Sequence, residues 1–149
     1  MFLTRMIYHS APRFETDSLA LEQALAEIMA AGLRNNPAAG ISGVLAVDGQ
    51  RFIQVMEGPR DRLSETFARI GSDTRHRDLV IAFFGEVDSR VFPDWSVAMM
   101  NPITLPECEP RCVDYDAITA EGLLERARRI RETGAIAGRE TRSDGESAA

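Results

Sequence analysis

Leu3 to Tyr8 alternates weakly between apolar and polar positions and ends in β-formers, which predicts a first strand. Leu21, Leu25 and Ile28 then recur at helical spacing behind Thr16-Asp17-Ser18, a cluster of N-cap residues. This helix is expected to stop near Arg34-Asn35-Asn36, because Pro37 pushes Asn36 out of the helical region. Ile41–Val47 and Arg51–Glu57 read as two short strands joined at Asp48-Gly49-Gln50, a hairpin signal in which Gly supplies positive φ. Gly58-Pro59 opens a second helix with Leu63, Phe67 and Ile70 on one face, ending around Gly71-Ser72-Asp73. Leu79–Val87 is a continuous apolar run fit for a buried strand, and Trp95–Met100 is a short final strand after the Phe92-Pro93-Asp94 turn.

The order is βαββαββ. It predicts an α+β fold, a ferredoxin-like sandwich whose mixed sheet carries two helices on one face. Beyond it, Ile118, Leu123, Leu124, Ala127 and Ile130 sketch a C-terminal helix up to about Arg131. That helix is expected to cover the sheet face the other two leave bare, or to join a homodimer. The organisation is therefore residues 1–100 as the main domain, 101–132 as a loop and capping helix, and 133–149 as a tail expected to be disordered.

Composition narrows the chemistry. The chain has 149 residues and a formal charge of −6, and all 17 basic residues are Arg. Schiff-base and P-loop lysine chemistry are excluded, and the acidic balance argues against nucleic acid as a partner. Two Cys and two His are too few for a four-ligand zinc site, so no metal is expected. Cys108 and Cys112 have a C-x3-C spacing, but flanking Glu107 and Glu109 would raise their thiol pKa values, which argues against a redox role. No signal peptide or run of ~20 apolar residues is present, which predicts a cytoplasmic protein without a membrane segment. Arg126, Arg128, Arg129 and Arg131 share their helix with Glu121, Glu125 and Glu132, the pattern of a salt-bridged solvent face.

A few polar residues run against the pattern. Period two puts Phe52, Gln54 and Met56 on one strand face. Gln54 is either an amide on a partly exposed strand or a buried amide that needs a partner, for which Tyr8 is one candidate. Asn35-Asn36 beside Pro37 reads on its own as a helix-capping signal. Arg69, Asp73, Arg75 and His76 cluster at the end of the second helix, as solvated charge or as groups able to hold an anion.

Four segments in order resemble the signatures of the BLUF family, flavin-binding blue-light sensor domains. They are Arg5-Met6-Ile7-Tyr8-His9-Ser10, Arg34-Asn35-Asn36-Pro37-Ala38-Ala39-Gly40-Ile41-Ser42-Gly43, Phe52-Ile53-Gln54-Val55-Met56-Glu57-Gly58-Pro59 and Asp73-Thr74-Arg75-His76, with Phe92-Pro93-Asp94-Trp95-Ser96 following. The resemblance covers residues 1–100. It implies a noncovalent flavin, FAD or else FMN or riboflavin, held between the two helices. It also implies that Tyr8 is the photochemical electron and proton donor and that Gln54 lies between Tyr8 and the flavin. Asn36, with Asn35 beside it, would bond the ring edge, Ile28 and Ile70 would pack on the ring faces, and Arg69, Asp73, Arg75 and His76 would line the pocket.

The family pattern puts a Met after the Trp-Ser pair of the last strand, but here the order is Trp95-Ser96-Val97. Val97 is shorter, stiffer and without a thioether, so relay through the last strand falls on Trp95, Val97 and Met99 in an altered form. The expectation is a stand-alone photoreceptor, not an enzyme, that signals to a separate partner protein and forms a homodimer or larger homo-oligomer. The alternatives are a flavin-binding interaction module with impaired signalling, or an acylphosphatase-like α+β enzyme with an Arg and an Asn at an anion site.

Overall fold

A computed structural model describes residues 2–13, 19–49, 51–100 and 113–136. The N-cap cluster Thr16-Asp17-Ser18, Gln50 of the hairpin, and Cys108 and Cys112 lie outside the described residues. The chain runs β1 (Leu3–Pro12), α1 (Leu19–Ala39), β2 (Ser42–Asp48), β3 (Arg51–Pro59), α2 (Arg60–Gly71), β4 (His76–Glu86), β5 (Trp95–Met99), α3 (Ala120–Thr133) and β6 (Ala135–Ile136). One sheet of order β4-β1-β3-β2-β5-β6 contains every strand, antiparallel throughout except for the β2–β5 pair. The mixed α+β sandwich expected from the pattern is what forms.

The β2–β3 hairpin has Asp48 opposite Arg51 and a Gly49 φ of 53°, the left-handed value that Gly reaches without steric cost. Period two then sorts the core. Met6, Tyr8, Leu45, Phe52, Met56, Trp95 and Val97 face α1 and α2. Ile7, Val44, Ala46, Ile53, Val55 and Ala98 face α3, against Leu123, Ala127 and Ile130, each 0% exposed.

Four expectations need correction. First, α1 runs through Pro37 to Ala39, three residues past its predicted stop. Gly40, at φ 72°, ends it: the Gly40 N–H donates to the Pro37 carbonyl (3.1 Å) and the Ile41 N–H to the Asn36 carbonyl (2.8 Å). This paired left-handed cap satisfies the carbonyls of the last turn and outweighs the local preference of the residue before Pro37.

Second, β4 is an edge strand and is not buried: Val80 and Ile81 are 49% exposed and Phe84 42%. An apolar run gives the strand but not what covers it. Third, Arg126 does not lie on a solvent face. Its guanidinium donates from Nε (2.5 Å) and Nη2 (2.7 Å) to the Asp48 carboxylate, which is 0% exposed, and Tyr115 Oη donates to the same carboxylate. Arg128, bonded to Glu125 and Glu132, shows the expected surface pairing. Fourth, Ala135 and Ile136 leave the expected tail as a short strand against Met99 and Ala98.

Candidate functional site

The strand register places Tyr8 directly opposite Gln54. Both side chains point toward the helices, and Tyr8 Oη donates a hydrogen bond to Gln54 Oε1 in the interior, where the two residues are 3% and 6% exposed. Burial, with the nearby Asp73 charge, pushes the Tyr8 phenol well above its ordinary range, so it stays protonated and donating. Asp73 is itself held below the usual carboxylate range, chiefly by hydrogen bonds from the Arg75 side chain at 2.6–3.1 Å. It therefore keeps its charge at neutral pH.

Above this pair lies a cleft of about 210 Å³ between α1 and α2. α1 contributes Ile28, Asn35 and Asn36, one face of which continues the buried stripe of Leu21 and Leu25. α2 contributes Arg69 and Ile70, the turn after it brings Asp73 and Arg75, and the start of β4 brings His76. All ten predicted binding residues therefore line one cleft. His76 is fixed there, Nδ1 against Ser10 Oγ (2.8 Å) and Nε2 against the Ile70 carbonyl (2.9 Å). Arg75 is committed to Asp73 and reaches Glu27 at 3.5 Å, whereas among the described residues the Arg69 guanidinium hydrogen-bonds only to Thr66 Oγ1, at 3.4 Å. Arg69 is thus the more available of the two cations.

Of the three relay candidates, only Trp95 lines the cleft, 7% exposed. Val97 is wholly buried beside it, and Met99 opens instead onto an apolar hollow with Leu25, Met29 and Leu33. The sequence reading missed Gly32, Leu45, Phe52 and Thr66 as lining residues. It also gave no role to Glu57, a 0% exposed carboxylate that accepts from Arg5 Nε (2.8 Å) and from the backbone N–H groups of Val91 (3.0 Å) and Phe92 (2.8 Å). Glu57 thereby fixes the turn leading into Trp95.

Apolar walls from Ile28, Ile70 and Leu45 with a few polar groups on one side make a site for a flat, largely apolar ligand with a polar edge. A family model described as sensors of blue-light using FAD, BLUF, matches residues 3–98, and the chain belongs to that family. It is 31% identical over 74 residues to the photoactivated adenylate cyclase subunit beta of Euglena longa, covering 49% of this chain and 9% of that protein. It is 30% identical over 78 residues to the blue light- and temperature-regulated antirepressor BluF of Escherichia coli, covering 52% and 18%. The chain thus spans less than a fifth of either relative. Among solved structures it resembles BlrB, a BLUF protein in its dark state, at TM-score 0.67 and 29% identity over 85% of this chain and 93% of that one. The photo-activated state of BlsA shares the fold at TM-score 0.71 and 20% identity, over 86% and 94%.

The residues fit a flavin. With Oε1 of Gln54 engaged by Tyr8, its NH2 group has no partner among the described residues, and neither has the side-chain amide of Asn36, which is 8% exposed. The buried indole N–H of Trp95 is likewise unpaired. Amide donors and acceptors between two isoleucines match the carbonyls and ring nitrogens of an isoalloxazine edge. Among the described residues, no helix is long and apolar enough to cross a membrane.

Proposed function

We propose that this chain is a blue-light photoreceptor that holds FAD noncovalently between α1 and α2 and reports light through the Tyr8–Gln54 hydrogen bond. The observation that carries the reading is that bond, formed across β1 and β3 under a cleft onto which the amides of Gln54 and Asn36 open. Gln54 and Asn36 hold the polar edge of the ring, Asn35 supports them, and Ile28 and Ile70 pack on its faces. Arg69 is the candidate for an anionic group beyond the ring, with Asp73, Arg75 and His76 forming the rim.

When bound, the flavin supplies absorption of blue light and an excited ring that accepts an electron. Tyr8, protonated and buried, is the group that gives up an electron and its hydroxyl proton. Gln54 Oε1 is placed to accept that proton while its Nε2, open to the cleft, would give one up, and electron and proton would return to Tyr8 as the amide re-forms its bonds rotated or as its tautomer. The product is a changed hydrogen-bond network, and it biases the protein only where neighbouring groups distinguish the two Gln54 states.

In this reading residues 1–100 are the sensor, 101–132 the loop and capping helix, and the activity is signalling to a separate protein and not catalysis. A homo-oligomer and a cytoplasmic location complete the proposal on the strength of the sequence. A second reading, a flavin-binding interaction module with weakened signalling, is favoured by Val97. Leu45 pairs with both Gln54 and Val97, so it stands between them in the sheet.

The test is an absorption spectrum of the purified protein before and after blue light. A yellow protein with a reversible red shift is expected, and a yellow protein without one supports the second reading. A colourless protein that takes up no added flavin would sink both.

A further inference from the structure

The cleft contains a glycine that helix formation does not explain. α1 uses Ala freely, at positions 24, 26, 30 and 31, yet its buried position 32 is Gly, a much poorer helix former. Its neighbour supplies the reason. A Cβ placed on Gly32 would lie 2.5 Å from both Cδ1 and Cε2 of Trp95 and closer still to Nε1, inside the indole. No flexible chain end could yield there, so the whole ring would have to swing away.

The sheet register shows why this ring, rather than Val97, faces the site. Tyr8, Gln54, Leu45 and Val97 form one row across β1, β3, β2 and β5, with Leu45 between Gln54 and Val97. The adjacent row is Met6, Met56, Gly43 and Trp95, and Gly43 has no side chain to separate Trp95 from the cleft. At the other end, the Glu57 carboxylate pins the turn at Val91 and Phe92 that delivers Trp95 to β5.

We propose that Gly32 is a positioning residue: its missing side chain is the seat that keeps the Trp95 indole in the cleft wall. Through that contact, and not through Val97, β5 and α1 register a rearrangement at Gln54. The relay half rests on the photoreceptor reading above; the seat itself does not.

Trp95 is the sole tryptophan of the chain, so its emission reports the ring alone. In full-length, flavin-loaded protein, Gly32→Ala is expected to raise dark-state tryptophan emission severalfold, as the ring leaves the quenching flavin, and to remove most of the light-minus-dark change in emission. Emission and light response both equal to wild type would overturn the proposal. Thermal melting gives a readout that does not need flavin. Ala is the better helix former, so without a seated ring Gly32→Ala should raise Tm. The expected result is a lower Tm when Trp95 is present and a higher one when combined with Trp95→Ala. A higher Tm in both backgrounds overturns the seat even if the variant no longer holds flavin. A wild-type protein with no light-induced change overturns the relay, while the sign reversal in Tm still decides the seat.

Discussion

Asp48 and Gln54 flank the same hairpin but point to opposite faces of the sheet, and their polar groups are treated in opposite ways. Asp48 is saturated: Arg126 and Tyr115 occupy both carboxylate oxygens from α3 and the turn before it. Beside it Arg51 bonds His9 Nδ1 and lies over the Tyr115 ring, and burial together with Arg51 holds the His9 imidazole below its ordinary range, hence neutral. Among the described residues the Gln54 side chain has one hydrogen-bond partner, Tyr8, and otherwise faces the cleft. On one face an ion pair joined by a phenol fixes an element in place, and on the other the amide keeps valences open to the cleft, as a ligand site requires. Tyr8 and His9, adjacent in β1, mark the boundary between the two.

The largest way to break this contrast is Tyr8→Phe, which removes the Gln54 bond to the phenol. The light-driven red shift should vanish entirely while the protein keeps its flavin, measured by difference absorption; a normal photocycle in the variant would remove Tyr8 from the mechanism. On the closed face, Arg126→Ala leaves Asp48 buried with its charge uncompensated and should cost about 3–5 kcal/mol in chemical denaturation. Converting the pair together to Leu and Met should recover most of that loss, because a buried ion pair is costly to break but not to replace.

Glu57→Gln comes next, at about 1–3 kcal/mol, since the amide keeps one acceptor for the Val91 and Phe92 N–H groups but loses its charge against Arg5. Alkali should act on both faces at once. Burial raises the Tyr8 and Tyr115 phenols above 10.0, so the unfolded chain releases these protons first. Stability is then complete below about pH 10 and falls as pH rises above it, with a shallower fall in Tyr8→Phe, measured by melts from neutral to strongly alkaline pH. Arg128→Ala should leave Tm unchanged, because its bonds to Glu125 and Glu132 lie in solvent.

Much of this was legible in the chain. The Asp48-Gly49 turn, the helical spacing of Leu21, Leu25 and Ile28, and the strand alternation around Gln54 are local signals that the tertiary structure keeps. Tyr8, Asn35, Asn36, Gln54, Asp73, Arg75 and His76 came from ordered motifs, and Ile28, Arg69 and Ile70 from the family resemblance those motifs carry, since no periodicity links Tyr8 to His76. What escaped depends on distant partners. Arg126 reads as surface charge until Asp48, 78 positions away, is brought against it. The length of α1 depends on a cap at Gly40 that competes with Pro37. Gly32 carries no chemistry to notice, and only the indole lying on it gives the position meaning.

The exposed β4 has a consequence for the handling of this protein. Its outer row of backbone groups is unpaired within the sheet, its exposed side chains include Val80, Ile81 and Phe84, and its pairing with β1 is irregular in two places, between Arg77 and Val80 and at Ala82. Neither Pro nor Lys interrupts the strand. Such an edge is a template for another strand, so protein concentration, more than heat, will limit how long preparations stay clear.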